Sequence, residues 1–372
     1  MKLCVVTGEA SGDLHTAAVV RELRILDESL EVFGIGGMNL EREGTRLIHH
    51  VRELAIVGLF NVIRHIPMYR RVFDDILDAV EQERPDAVLL VDFPDFNLRL
   101  ARKLSERGFR VLYYISPQVW AWRKKRVHEI ARYVDHMLVI FPFEEEYFRE
   151  AGVRVSYVGH PLVDRLGEIP IEGISPEPGK PIRLALLPGS RRSEVADLLP
   201  SMLAAVRELS RDLEVDPFVI RAPTIELEQL EAIMDRTGSR VSIVSENGYE
   251  ALAAAHVAVA SSGTATLEAA ILGVPVVVMY MLSPLTYLFA RRLVKLPHFS
   301  LVNIVAGKKV VPELIQSEVN AERISREIRR LVEPAHHRWV VEELRNVRKA
   351  LGGRGASRQA ARTIFEMMRK AS

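Results

Sequence analysis

Short runs of Val, Ile and Leu alternate with helix-patterned segments along nearly the whole chain, and this alternation restricts the fold more than any other feature. Parallel strands need long crossovers between them, so a strand–helix–strand rhythm builds parallel sheets with helices on both faces. In the first half the runs are KLCVV, EVFGIGG, AVLLVDFP, VLYYISP, HMLVIFP and VSYVGHP. Between them lie segments such as LRLARKLSERG, where Leu and Ala recur at helical spacing and Gly108 ends the helix. A second series, IRLALLPGS, PFVIRAP, VSIVS, VAVASSG and VPVVVMY, begins after Pro170, Pro176, Pro178 and Pro181 have crowded into one short stretch. Such a stretch reads as an interdomain linker.

A chain of 372 residues exceeds one ordinary core and divides economically into two domains. The expectation is an α/β protein with two doubly wound Rossmann-like domains, 1–168 and 183–340, joined by a linker at 169–182 and facing a cleft. Residues 341–372 are expected to be helical and end in ARTIFEMMRK. The apolar face of Ile364, Phe365 and Met368 then requires cover, from the first domain or from a second copy of the chain.

Charge excludes some partners. Lys and Arg number 50 against 49 Asp and Glu, a net +1, so no global basic field draws the chain to nucleic acid, and any anion site is local. The single cysteine, Cys4, sits inside the first apolar run and reads as a buried small hydrophobe. Without an internal disulfide the chain suits a reducing compartment. It opens directly on a strand, and no apolar stretch reaches the ~18 residues of a spanning helix, so a cytoplasmic location is expected.

Nucleotide fingerprints of the common kinds are absent. GIGGMN lacks the last glycine of the dinucleotide pattern, and AGKKV lacks the earlier glycine and the hydroxyl residue of a phosphate-binding P-loop. No D-x-D occurs, so the carboxylate pair that clamps a divalent ion on a nucleotide diphosphate in many sugar transferases is missing. A metal-free site has to hold diphosphate with arginine and helix starts. The second half supplies both. LLPGSRRSE places Gly189, Ser190 and Arg191 at a strand end, and SSGTATLEAA places Ser262, Gly263 and Thr264 before a helix that carries Glu268. A carboxylate at Glu268 is positioned to accept from two ribose hydroxyls, whereas for one such motif alone an N-cap at Thr264 and a solvated Glu268 would suffice. His336 and His337 have no cysteine or carboxylate at ligand spacing, so no metal site is expected there.

Taken in order, GEASGD, VDFPDFN, SPQVWAWRKKRV, VGHP, LLPGSRRSEV, SSGTATLEAA and SLVNIVAG resemble the lipid-A-disaccharide synthases, glycosyltransferases of the two-Rossmann-domain kind. The likeness runs from residue 3 to about residue 316. It implies transfer of 2,3-diacylglucosamine from UDP to the 6-hydroxyl of 2,3-diacylglucosamine 1-phosphate, with inversion, without a metal and without any other cofactor. It also puts Asn303 on the UDP side, although Val302 stands where many relatives carry proline. In relatives the C-terminal region can be exchanged between subunits, which implies a homodimer.

Inversion needs a base to take the acceptor's proton and a stabilised leaving group. AVLLVDFPDFN puts Asp92 at the carboxyl end of an apolar strand, where open parallel sheets carry their sites, and Asp95 at the start of the next helix, where it reads as a cap. Asp92 is therefore the expected base, with Glu9, Asp95 and Asp13 as competitors. Glu9 is also placed to bind a sugar hydroxyl, while Gly8, Ser11 and Gly12 would let substrate approach the backbone. Arg191 is expected on the diphosphate. Trp120, Trp122 and Arg123 belong to the densest aromatic and basic cluster, in which ligand contact competes with core packing.

The stretch LAIVGLFNVIRHIPMYRR at 54–71 carries Val57, Leu59, Phe60, Val62 and Ile63, flanked by Arg64, His65, Arg70 and Arg71. Core burial is the usual meaning of such a pattern. With acylated substrates, the expectation here is peripheral contact with the cytoplasmic face of the inner membrane. Two other functions fit the same architecture: a UDP-sugar epimerase, and a non-catalytic nucleotide-sugar or lipid-binding protein.

Overall fold

The computed structural model describes residues 1–55, 62–120, 125–169, 174–177, 179–282, 287 and 297–369, the side chains of 55 and 62–66 excepted. The chain forms two units, Met1–Asp164 with Gly352–Ser372, and Arg165–Leu351.

Unit 1 is built on strands β1 (Lys2–Thr7), β2 (Glu31–Gly36), β3 (Arg46–His50), β4 (Ala87–Val91), β5 (Val111–Tyr114), β6 (His136–Val139) and β7 (Val155–Tyr157). They pair in parallel in the order β3-β2-β1-β4-β5-β6-β7. Strands covered on both faces need apolar residues at every position, which is why KLCVV and AVLLV read as unbroken runs. Leu3 to Val6 and Ala87 to Val91 are fully buried. The chain order reverses between β1 and β4, and at such a switch point the carboxyl ends of the strands open onto a crevice.

Unit 2 repeats the plan with β8 (Ile182–Leu187), β9 (Val215–Ile220), β10 (Ser242–Val244), β11 (Val257–Ser261), β12 (Val276–Tyr280) and β13 (Glu313–Ile315). Their order is β10-β9-β8-β11-β12-β13, with the switch point between β8 and β11. The α/β expectation of two doubly wound sheets therefore holds. Strands β3 and β13 are absent from the sequence reading. Both lie at sheet edges, β3 carries Arg46, His49 and His50 in place of an apolar run, and β13 spans three residues.

The domain limits differ from the expected ones. The division falls after Asp164 and again after Leu351. The helix Pro334–Ala350 runs straight through the expected limit at 340 and belongs to unit 2, where Val340, Val341, Leu344 and Val347 are buried. The last helix, Ala356–Arg369, belongs to unit 1. Asp164 accepts the amides of Gly355, Ala356 and Ser357 at its start, at 2.6, 3.1 and 2.9 Å, in place of a capping residue of its own. Arg358 reaches Glu22 on the helix Ala10–Leu26 at 3.2 Å, and Ile364 and Met368 are fully buried. Of the apolar face that needed cover from the first domain or a second copy, Ile364 and Met368 are thus covered within unit 1, and Phe365 is half-buried.

Candidate active site

At the carboxyl edge of the first sheet, β4 ends in Asp92 and Phe93, whose φ angles are 48° and 50°. Two successive non-glycine residues in the left-handed region store backbone strain of about 1 kcal/mol or more each, and such strain collects at functional sites. Hydrogen bonds hold it in place. The Asp92 amide donates to the Tyr114 carbonyl at 3.1 Å, while the Asp92 carbonyl accepts from Tyr113 Oη at 2.5 Å and from Asn97 Nδ2 at 2.8 Å. Phe93 stacks with Tyr69 and with Phe96, with centroids 6.4 and 5.4 Å away. It also lies against Gly8, where an added Cβ would come within 2.5 Å of the Phe93 Cβ. Gly8 is therefore kept small by the packing of Phe93 against it. At Gly12 an added Cβ would make only ordinary contacts, at 3.6 Å, with Thr7 and Val91.

Burial, with the Glu9 carboxylate as the second cause, pushes the Asp92 carboxyl up to about 6. That is the range in which a general base works near neutrality. Glu9 and Ser11 are exposed at the same edge, and the Glu9 side chain does not cap the helix it begins. Asp92 and Glu9, chosen from sequence, are thus neighbours.

The other two acids have different work. Asp13 is 2 % exposed and receives the amides of Gly37 at 2.6 Å, Asn39 at 3.0 Å and Leu40 at 3.2 Å, plus Asn39 Nδ2 at 2.8 Å. It caps the helix Met38–Arg42 from another element, so its lone pairs are engaged and it is neither base nor sugar ligand. Asp95 lies in the first turn of the helix Pro94–Glu106, whose N-cap is Phe93, and instead of capping it pairs with Arg126. Its side chain is 66 % exposed.

Two buried groups here were not read from the sequence. Glu144, 1 % exposed, accepts from Ser116 Oγ at 2.6 Å, Trp120 Nε1 at 3.0 Å and the Phe141 amide at 3.2 Å; burial pushes its carboxyl up to about 7. Asn97, fully buried, clamps the Asp92 turn as described. Trp120 is consequently a core residue of this edge, against Phe143 at 5.0 Å. Burial and the nearby His15 push His160 down to about 3, so it is a neutral imidazole, and its Nδ1 accepts the Leu162 amide at 3.2 Å. Trp122, Arg123, Val57, Leu59 and Phe60 lie outside the described residues, as do the side chains of Val62 and Ile63.

The carboxyl edge of the second sheet gathers the other half of the candidates. After β8, Gly189 has φ 125°, and a Cβ there would fall 2.5 Å from Glu194 Oε2. Glu194 accepts the Ser190 amide at 3.2 Å and aims Arg191 through Nη1 at 2.9 Å, leaving that guanidinium 76 % exposed. Arg192 turns away to Glu226 at 2.6 Å. After β11, Ser262 continues the ladder to Met279 at 2.7 Å, Gly263 is the N-cap at φ 155°, and Thr264 opens the helix Thr264–Ile271. The Thr266 amide closes back on the Gly263 carbonyl at 3.2 Å, while the amides of Thr264 and Ala265 before it stand at the positive end of the helix, where donors are left for an anion. Glu268, one turn further, is half-buried.

Asn303 does not fit the UDP role in its side chain. Fully buried, it receives the amides of Val310 and Val311 on Oδ1 at 2.7 and 3.0 Å, and donates from Nδ2 to the Val311 carbonyl and to Glu313, both at 2.9 Å. Every hydrogen-bonding position of the amide is used to close its own loop.

Two Rossmann-type sheets in the orders above, one edge carrying a tuned acid and the other two anion-type turns, define a two-domain nucleotide-sugar enzyme. Solved structures show the same fold: a putative UDP-N-acetylglucosamine 2-epimerase from Listeria monocytogenes, with TM-score 0.67, 14% identity and coverage of 99% of this chain and 97% of that one; and MurG from Acinetobacter baumannii, with TM-score 0.58, 14% identity, 98% and 99%. The family model described as lipid-A-disaccharide synthetase matches residues 3–364. The lipid-A-disaccharide synthase of Geobacter sulfurreducens is 40% identical over 99% of this chain and 98% of its own length. That of Syntrophus aciditrophicus is 42% identical over 98% and 97%. The chain belongs to the lipid-A-disaccharide synthetase family and is a glycosyltransferase. The likeness to epimerases is one of fold alone.

Proposed function

We propose that the chain transfers 2,3-diacylglucosamine from UDP to the 6-hydroxyl of 2,3-diacylglucosamine 1-phosphate, forming a β(1→6) disaccharide 1-phosphate and UDP. The carrying observation is Asp92: a carboxyl held in a strained turn at a switch point, with its pKa at about 6. In this reading Asp92 accepts the proton of the acceptor hydroxyl as its oxygen attacks the donor C1. The C1–O bond to the diphosphate breaks, and its electron pair leaves on the UDP oxygen. Arg191, fixed by Glu194, and the helix start at Gly263 and Thr264 meet the charge that develops there. Glu268 binds the ribose hydroxyls, and Glu9 orients a sugar hydroxyl beside Asp92 and holds its basicity up.

Membrane contact through the stretch at 54–71 belongs to the same proposal, since both substrates carry acyl chains. Among the described residues no helix is long and apolar enough to cross a membrane. Exchange of the helix Ala356–Arg369 between two copies would bury the same apolar face, so a homodimer stays in the proposal; light scattering that finds monomer mass alone rejects it. UDP release is the functional test: it should require both donor and acceptor. Release at the same rate without acceptor, or conversion of the donor sugar to an epimer, would reject the transfer.

A further inference from the structure

Tyr249 is the second residue of a short helix, Gly248–Ala253, beyond the carboxyl end of β10. The Asn-Gly pair before it makes the turn: Asn247 takes φ 52° as N-cap. Gly248 lets the helix settle on β9, because a Cβ there would meet Ile220 Cγ2 at 3.0 Å. The tyrosine is thereby brought to Glu268, donating from Oη to Oε1 at 3.0 Å. Arg165 lies over the same ring, with its guanidinium carbon 4.9 Å from the centroid. Glu268 Oε2 has no partner among the described residues.

We propose that Tyr249, with Arg165 over its ring, is a positioning residue that keeps the Glu268 carboxylate ionised and turns one of its oxygens toward the ribose hydroxyls of the donor. The proposal rests on the reading of Glu268 as the ribose ligand. Two adjacent hydroxyls of a neutral sugar are donors, and they bind strongly only to an acceptor that is charged and already aimed. Left to itself a buried carboxyl protonates. Burial raises the Glu268 pKa, and the Tyr249 hydrogen bond and the Arg165 charge are the two influences that oppose it. Tyr249 suits the task, since burial first and the Glu268 charge second push its own hydroxyl up to about 12, so it stays a donor throughout the working pH range. A cation on the ring face sharpens that donor.

The remaining neighbours of the Glu268 helix do not replace this pair. From the helix Pro334–Ala350, Arg348 donates to the Ile271 carbonyl at 3.4 Å, and Glu343 is paired with Lys308 at 2.8 Å. The helix Leu301–Ala306 brings Asn303, which does not titrate, and the flanking strands bring Ser261 and Tyr280.

UDP affinity measured by calorimetry from acid to neutral pH tests the proposal on four full-length proteins: wild type, Tyr249→Phe, Glu268→Gln and the double variant. Loss of a hydrogen bond to a charged group should weaken UDP binding in Tyr249→Phe by about tenfold to a hundredfold. The acid limb of its affinity profile should move to higher pH, and in turnover the donor KM should rise more than kcat falls. Glu268→Gln should remove that limb, and the double variant should match Glu268→Gln. Wild-type affinity and an unmoved limb in Tyr249→Phe would overturn the proposal while leaving Glu268 in place. So would a loss in the double variant equal to the sum of the single losses. Wild-type UDP binding by Glu268→Gln would instead remove the ribose reading beneath it. Should Tyr249→Phe fail to fold, Arg165→Met carries the test: its limb must also move to higher pH, and an unmoved limb rejects the proposal.

Discussion

Replacing Asp92 by asparagine separates chemistry from structure at the proposed base. The turn is held through the Asp92 main chain, to Tyr114, Tyr113 and Asn97, and asparagine keeps all of those bonds. Asparagine also tolerates the φ of 48° as readily as aspartate does. Folding and UDP affinity should therefore be unchanged, while kcat falls by about 10² to 10⁴ through loss of the proton acceptor. The pH profile gives an independent check. With a pKa of about 6, raised first by burial and then by Glu9, Asp92 is roughly nine-tenths ionised at pH 7 and roughly one-tenth at pH 5. Since the ionised form is the active one, wild-type kcat/KM should climb about tenfold per unit below the pKa and level off above it. Glu9→Gln, which removes the second cause, should move this acid limb to lower pH. The assay is initial-rate release of UDP in mixed micelles across that range. A variant that keeps a third or more of wild-type kcat, or one that retains the acid limb unmoved, would refute Asp92 as the base.

Asp95→Asn should keep activity within about threefold and stability within about 1 kcal/mol, because the Asp95 side chain is 66 % exposed and its ion pair with Arg126 is a surface one; a dead variant in the rate assay would transfer the base to Asp95. Gly8→Ala should destabilise by about 1 to 3 kcal/mol in denaturant unfolding, and reduce kcat, by driving a methyl into Phe93 beside the base; wild-type stability and rate together would show that the turn yields freely. Joint replacement of Val57, Leu59, Phe60 and Val62 by serine should release the protein from anionic phospholipid vesicles in flotation while its circular dichroism is kept. Loss of the dichroism would show those residues to be core.

The doubly wound architecture was legible because buried parallel strands leave uninterrupted apolar runs, and the carboxyl-edge rule then pointed to Asp92, Glu9 and Arg191 without any coordinates. What stayed hidden depends on partners distant in the chain. Asp13 looks like a residue that starts its own helix, yet it caps one that begins at Met38. Asn303 sits in a glycine-ended motif that suggests a ligand, but its amide is consumed by Val310, Val311 and Glu313. Glu144 reads as one acid of three in FEEEY, and only the packing of Ser116 and Trp120 against it reveals a buried carboxyl. The left-handed turn at Asp92 and Phe93 carries no glycine to announce it. Its only trace in sequence is Gly8, more than eighty residues earlier, kept small to admit the ring.

The most direct test of the whole account is mass spectrometry of the products formed by the purified chain from UDP-2,3-diacylglucosamine and 2,3-diacylglucosamine 1-phosphate. The account predicts one new species whose mass is the sum of donor and acceptor less UDP, in step with free UDP, and no new species when either substrate is left out. An unchanged acceptor beside an isomerised or hydrolysed donor would contradict it.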